Sequence, residues 1–292
     1  QTFYRTIHIT MAIRYHISEI VSALDLRKKK FNASTTTITS LLTDSRKLSN
    51  PAETLFFALV TKTNNGHNFV LDLYIHGVRN FVVSTKLPEW DSLEDANFFV
   101  VKDTLQALHK LTIYHRKKFD IPVIGITGSN GKTIVKEWLY QLLQNDYNIV
   151  RSPRSFNSQT GVPLSVWQLE PNATLGIFEA GISKPDEMEL LENIIVPSIG
   201  IFTKLGEAHQ ENFASLQQKC NEKLELFINS EVIIYNGDNP IINQCVENMA
   251  LSHKTFTWSR TKSENPLFID NIQLLQDKNI IHYAYLGFET NI

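Results

Sequence analysis

The chain has 292 residues, enough for two domains at roughly 100–200 residues each, and its 42% hydrophobic and 20% charged composition is ordinary for a globular protein. A formal net charge of -2 gives no bulk attraction to nucleic acid or to an anionic membrane, so phosphate binding must come from a local site and a small-molecule partner is expected. No apolar run reaches the ~20 residues of a membrane helix and no signal-peptide core opens the chain, so no membrane insertion is expected. The two cysteines, Cys220 and Cys245, lack paired spacing, which points to a reducing, cytoplasmic setting; a monomer is expected.

The residues before Met11 are set aside as an upstream extension. Ile17, Ile20, Val21 and Leu24 recur at helical spacing, and the run Arg27-Lys28-Lys29-Lys30 reads as a solvated helix end. Strand-like runs at 55–60 and 81–84 flank a helical stretch at 70–76, so the first part is a small α/β domain. Asp103 caps a helical pattern through Leu105, Leu108 and Leu111 that ends in the basic cluster Arg116-Lys117-Lys118. The domain junction is placed at this helix, giving domains of 11–105 and 106–292. A β-rich run at 121–127 follows, then a helix with Val135, Trp138, Leu139, Leu142 and Leu143 on one face. Further apolar strands at 174–178, 199–203 and 232–235 alternate with helical stretches. That rhythm predicts an α/β fold whose central domain is a mostly parallel, doubly wound sheet. From about Lys254 the chain reads as short strands joined by polar turns.

Between the run at 121–127 and its helix lies Gly125-Ile-Thr-Gly-Ser-Asn-Gly-Lys-Thr133, a strand-to-helix setting in which a glycine-rich loop is credible as a phosphate cradle. Gly128 and Gly131 allow a sharp turn that aims backbone N–H groups of Ser129 and Asn130 inward. Lys132 supplies positive charge for the β- and γ-phosphates of ATP, and the Thr133 hydroxyl can ligate Mg²⁺. Five residues rather than four separate Gly125 from Gly131, a departure from the strict phosphate-loop pattern. The second apolar strand ends in Glu179-Ala-Gly181, placing a glutamate where phosphate-loop hydrolases carry a metal-binding aspartate. Beyond the third strand lie Gly206-Glu-Ala-His209 and then Ser215-Leu-Gln-Gln218, spaced as a capping box that opens a helix carrying Lys219 and Lys223. His209 and Lys223 would be about 21 Å apart on one continuous helix, but the intervening loop allows the chain to double back. On these residues alone, kinase, GTPase and ligase chemistry all remain open, although no Asn-Lys-x-Asp guanine-reading motif follows the loop.

In order and spacing, the phosphate loop, Phe156-Asn-Ser-Gln-Thr-Gly-Val-Pro-Leu164, Glu179-Ala-Gly181, Gly206-Glu-Ala-His209, Lys223 and Asn236-Gly-Asp-Asn239 together resemble the ATP-dependent Mur ligases. That family's own loop has the looser glycine spacing. Thr43-Asp-Ser-Arg46 and Asn64-Asn-Gly-His-Asn-Phe69 are most similar to the branch that adds D-alanyl-D-alanine to UDP-N-acetylmuramoyl-tripeptide (UDP-MurNAc-tripeptide). The resemblance implies that the γ-phosphate of ATP passes to the terminal carboxylate of the tripeptide and that the amine of D-Ala-D-Ala attacks the acyl phosphate. It implies two Mg²⁺ ions, one held by Thr133 and Glu179 and the other by His209 with a carbamylated Lys223. Asp44, Ser45, Arg46 and His67 would serve the UDP-sugar in the first domain, Asn157 and Gln159 would sit near the reacting phosphate, and Asn236 and Asp238 near the adenosine. Ser158, Thr160 and Gly237 depart from the pattern, where asparagine, an aliphatic residue and alanine are usual. The family also has a third, Rossmann-like domain, before which this sequence ends, so the chain alone is expected to bind nucleotide weakly and not to ligate. A fused alanine racemase is known in some members. A sibling ligase adding a single amino acid, a folylpolyglutamate synthase-like ligase and a non-catalytic nucleotide-binding module are the alternatives.

Overall fold

The computed structural model describes residues 12–26, 37–206 and 210–291. Contacts divide the chain into two compact units, one of Gln1–Asp120 with Pro163–Ala173 and the other of Ile121–Val162 with Thr174–Ile292. The boundary read from the sequence lay between residues 105 and 106; the contacts carry the first unit on to Asp120 and add the segment Pro163–Ala173. The lysine-rich run at 27–30 and His209 lie outside the described residues.

In the first unit, β1 (Tyr15–His16) leads into α1 (Ile17–Ala23) and pairs antiparallel with β2 (Thr37–Ile38). The main sheet is parallel, with β3 (Ser40–Leu42), β4 (Thr54–Phe57), β5 (Asn80–Val83) and β6 (Asn97–Val100) in spatial order. Helices α2 (Val70–Ile75) and α3 (Thr104–Arg116) follow β4 and β6. Side chains of a strand alternate between its faces. Leu55, Phe57, Val82 and Phe99 accordingly join Ile17, Ile20, Leu108 and Leu111 in one core, while Phe56, Phe81 and Val83 join Val70, Leu73 and Trp90 in the other. Both faces are covered, so these strands read as continuous apolar runs. Each fully buried phenylalanine contributes roughly 1.5–3 kcal/mol. The expected Asp103 cap is formed, its carboxylate accepting from the N–H groups of Leu105 and Gln106 at 2.8 and 3.0 Å.

The second unit is built on β7 (Val123–Thr127), α4 (Lys132–Leu143), β8 (Ile149–Arg151), β9 (Leu175–Glu179), α6 (Met188–Ile195), β10 (Ile199–Phe202), α7 (Leu216–Leu224), β11 (Val232–Asn236) and α8 (Pro240–Asn248). The short α5 (Gly161–Val166), which precedes β9, belongs from Pro163 on to the first unit. The chain then closes with β12 (Thr255–Ser259), β13 (Leu267–Leu274), β14 (Asn279–Tyr285) and β15 (Phe288–Asn291). The spatial order is β15-β14-β13-β12-β11-β10-β7-β9-β8, parallel from β8 to β13 and antiparallel through the last two pairs. Strands β8 and β9 lie on one side of β7 and β10 on the other, so the order reverses at β7 and opens a crevice at the carboxyl ends of the strands.

Helix α4 differs from its sequence reading. Val135, Leu139 and Leu143 pack on the sheet, but Trp138 and Leu142 are 63% and 72% exposed, in line with exposed Ile134. The stripe that faces the sheet is the one containing Lys136, which is fully buried, and it turns Trp138 and Leu142 outward.

Candidate nucleotide and metal site

The phosphate loop leaves β7 at Thr127 and enters α4 at Lys132. Gly128 adopts φ +139°, and a Cβ there would meet Thr203 Oγ1 at 2.0 Å, so the position takes no side chain. Gly131, at φ +89°, is the left-handed N-cap of α4 and provides no side-chain cap. The N–H groups of the first turn of α4 are therefore available to an anion, favoured further by the helix dipole. The loop is fastened to the end of β10: Ser129 N–H donates to the Lys204 carbonyl at 2.6 Å, the Thr203 hydroxyl donates to the Asn130 carbonyl at 2.6 Å, and Ser129 Oγ accepts from Gly206 N–H at 3.0 Å.

Lys132 and Thr133 diverge from this turn. Lys132 Nζ donates back to the Gly128 carbonyl at 2.8 Å, and burial lowers its pKa, with Glu179 opposing that shift. The Thr133 hydroxyl donates to Glu179 Oε2 at 3.0 Å, and the Asn157 amide reaches the same oxygen at 3.5 Å. Glu179, at the carboxyl end of β9 beside β7, is fully buried. Its other oxygen, Oε1, lies 2.9 Å from Lys136 Nζ as an ion pair but without hydrogen-bond geometry, so this buried oxygen keeps an open lone pair. A hydroxyl beside a buried carboxylate, next to the uncapped start of α4, is a donor set that suits Mg²⁺, which takes one or two carboxylates and completes its shell with water and phosphate oxygens.

A cavity of about 270 Å³ opens at the phosphate loop. Gly128, Ser129 and Lys132 form one wall, Asn157, Ser158 and Gly181–Ser183 another, and Lys223 also lines it. Lys223 is buried on α7, and its pKa is lowered from the ordinary 10.5 to about 7, first by desolvation and then by the charges of Lys132 and Lys219. Lys132 and Lys223 lining one crevice favour an anion. The structure thus brings together Gly128, Ser129, Lys132, Thr133, Asn157, Glu179 and Lys223. Gln159 turns aside, its amide donating to the Glu187 carbonyl at 2.8 Å. Asn236 and Asp238 lie at the end of β11, separated from β7 by β10. There Asn236 Oδ1 accepts from Asp238 N–H at 2.6 Å, while the Asp238 carboxylate binds Ser259, Thr261 and the Arg260 N–H.

The Mur ligase middle domain family matches residues 126–291, more than half of the chain. This chain belongs to the Mur ligase family. The UDP-N-acetylmuramoyl-tripeptide–D-alanyl-D-alanine ligase of Bacillus subtilis (strain 168) is 30% identical over 257 residues, which cover 87% of this chain and 54% of that protein. The chain spans about half the length of the curated relatives it matches. Crystal structures of MurF from Acinetobacter baumannii and of MurF ligase from Thermotoga maritima in complex with ADP share the fold. The first has TM-score 0.84 at 22% identity, covering 96% of this chain and 60% of that one. The second has TM-score 0.75 at 21% identity, covering 87% and 57%.

In the first unit of this Mur ligase, Thr43, Asp44, Ser45, Arg46, Asn64 and Phe69 line a second cavity, of about 460 Å³. Arg46 forms a two-pronged pair with Asp44, both contacts 2.9 Å, and its side chain is 86% exposed, so guanidinium surface remains open beside the cavity. His67 is buried instead: one ring nitrogen meets Asn65 Oδ1 at 2.8 Å and the other accepts from Ser84 N–H at 3.1 Å, while the ring stacks on Trp90. Burial lowers its pKa, and both nitrogens serve the fold. The departures Ser158 and Thr160 bond each other at 3.2 Å, and Ser158 Oγ also accepts from Gly161 N–H. Sequence reasoning missed Lys136 and Lys219. Lys219, buried and bonded to the Gly206 carbonyl at 2.6 Å, lies one turn before Lys223, a four-residue spacing that was visible in the sequence. Lys136 carried no such signal.

Proposed function

We propose that this Mur ligase is of the type that joins D-alanyl-D-alanine to UDP-MurNAc-tripeptide with ATP, through an acyl phosphate, in cytoplasmic peptidoglycan precursor synthesis. The observation that carries the reading is the Thr133–Glu179 pair at 3.0 Å, set beside the uncapped start of α4, with Lys132 and Lys223 lining the cavity at the phosphate loop. Phosphoryl transfer needs positioning and charge neutralisation more than covalent chemistry, and these residues supply both. The N–H groups of the first turn of α4 and Lys132 hold the β- and γ-phosphates; the Ser129 N–H expected to join them is instead bonded to the Lys204 carbonyl. Thr133 and Glu179 would hold one Mg²⁺, and His209 with carbamylated Lys223 the other; when bound, the ions offset the charge of the phosphates. At a pKa of about 7, roughly half of the Lys223 amine is uncharged at neutral pH, the form that takes up CO₂. Asn157 orients the transferring group, Asn236 and Asp238 face the adenosine, and Asp44, Ser45 and Arg46 bind the UDP portion in the first unit. The similarity to the Bacillus subtilis ligase supports the choice of substrates. Incubating the complete gene product with ATP and UDP-MurNAc-tripeptide tests the reading. ADP and phosphate should appear only when D-Ala-D-Ala is added, and release with a single amino acid instead would reassign it to a sibling ligase.

A further inference from the structure

Lys136 has the environment of a functional residue and no role in the scheme above. It is fully buried on α4, one turn past Thr133. Its Nζ donates to the Ser152 carbonyl at 2.8 Å and to the Arg154 carbonyl, and lies 3.2 Å from Glu137 and 2.9 Å from Glu179 Oε1. Burying an ammonium is costly unless it is paired and hydrogen-bonded, and a methionine of similar length would pack the same space. The contacts explain why a cation stands there. Glu179 is held at three points: Lys136 at Oε1, Thr133 at Oε2, and Ser152 Oγ, which accepts from its backbone N–H at 3.1 Å. Lys136 also clamps the turn after β8, where Arg154 takes a left-handed φ of +49°, and that turn leads directly to Asn157. One side chain therefore sets the rotation of the carboxylate and the approach of the amide beside it.

We propose that Lys136 is a positioning residue for the metal–nucleotide site: by pinning Glu179 Oε1 and the Ser152–Arg154 turn, it aims Glu179 Oε2 at the ion shared with Thr133. The proposal rests on the nucleotide-site reading above. Residues that orient a metal ligand are typically worth 10–100-fold in metal affinity. The test is calorimetric titration of ADP into the complete gene product with and without Mn²⁺, together with the Mn²⁺ electron paramagnetic resonance signal of the complex. In Lys136→Met the Mn²⁺-dependent gain in ADP affinity should fall by about tenfold or more, while metal-free ADP binding stays within about twofold of wild type. If Lys136 acts through Glu179, adding Lys136→Met to Glu179→Gln should cause no further loss. Should Lys136→Met not fold, Lys136→Gln, which keeps a donor for the Ser152 carbonyl, is expected to show the same selective loss. An unchanged Mn²⁺ dependence would overturn the proposal, as would tighter Mn²⁺ binding, the signature of a merely repelling charge. Wild-type chain that binds ADP with no metal dependence would overturn the nucleotide-site reading itself.

Discussion

Replacing Lys223 by methionine should make the protein's stability less dependent on pH, and the size of the effect follows from the burial of this lysine. In the unfolded chain the amine titrates near 10.5; in the fold it titrates near 7, because it is desolvated and faces Lys132 and Lys219. The folded pKa is the lower one, so between these values the unfolded chain binds the extra proton and stability rises with pH. Well below pH 7 both states are protonated and the penalty is constant at about 5 kcal/mol; well above pH 10.5 it vanishes. Between pH 6.5 and 9.5 the wild type should therefore gain about 3 kcal/mol over Lys223→Met. Urea denaturation of both proteins in CO₂-depleted buffer at half-unit pH steps measures this difference, and groups common to both proteins cancel. Parallel stability curves would refute the reasoning, since they would mean that Lys223 keeps its ordinary basicity in the fold.

Gly128→Ala should destabilise the chain by about 3 kcal/mol and abolish ATP binding, because the new carbon would lie 2.0 Å from Thr203 Oγ1; a wild-type urea midpoint would contradict this. Thr133→Val removes one hydrogen bond and should cost about 1 kcal/mol in stability. It should also eliminate the Mg²⁺-dependent part of ATP binding in a calorimetric titration, and retained Mg²⁺ dependence would count against the Thr133–Glu179 site. At Gly237 a Cβ would lie 2.7 Å from Asn265 Oδ1, which accepts from the Thr257 hydroxyl at 2.5 Å. Gly237→Ala should therefore cost roughly 1–2 kcal/mol, and Asn265→Ala should remove that cost. Additive losses in the double variant would show that the two positions do not compete for space.

The central sheet was legible because buried parallel strands announce themselves as apolar runs between helices, and β9, β10 and β11 fall within a residue of where the sequence put them. The three-residue β3 and β8 were missed, being too short for periodicity to separate from loop, and so was β6, which is only half buried where β4 and β5 are buried throughout. The structure brings the loop glycines, Lys132, Thr133 and Glu179 together, and the sequence singled them out because they stand at the end of a strand or the start of a helix. Lys136 could not. A lysine between Val135 and Glu137 in a helix reads as a solvated face, and only the oxygens gathered from the ends of β8 and β9 reveal it as buried. The same residue explains the misreading of α4. Its side chain occupies the inward stripe, leaving Trp138 and Leu142 exposed although the apolar spacing had placed them inside. His67 shows the reverse error, a polar residue in a motif whose nitrogens are spent on Asn65 and Ser84.

The central claim, that phosphate is transferred to a carboxylate before the amide forms, is tested most directly by isotope transfer. UDP-MurNAc-tripeptide labelled with ¹⁸O in its terminal carboxylate is turned over by the complete gene product with ATP and D-Ala-D-Ala, and the released phosphate is analysed by mass spectrometry. An acyl phosphate leaves one carboxylate oxygen on the phosphate when the amine displaces it, so each phosphate formed should carry one ¹⁸O. Unlabelled phosphate would mean that water, not the tripeptide, receives the phosphoryl group, and the ligase account would fail.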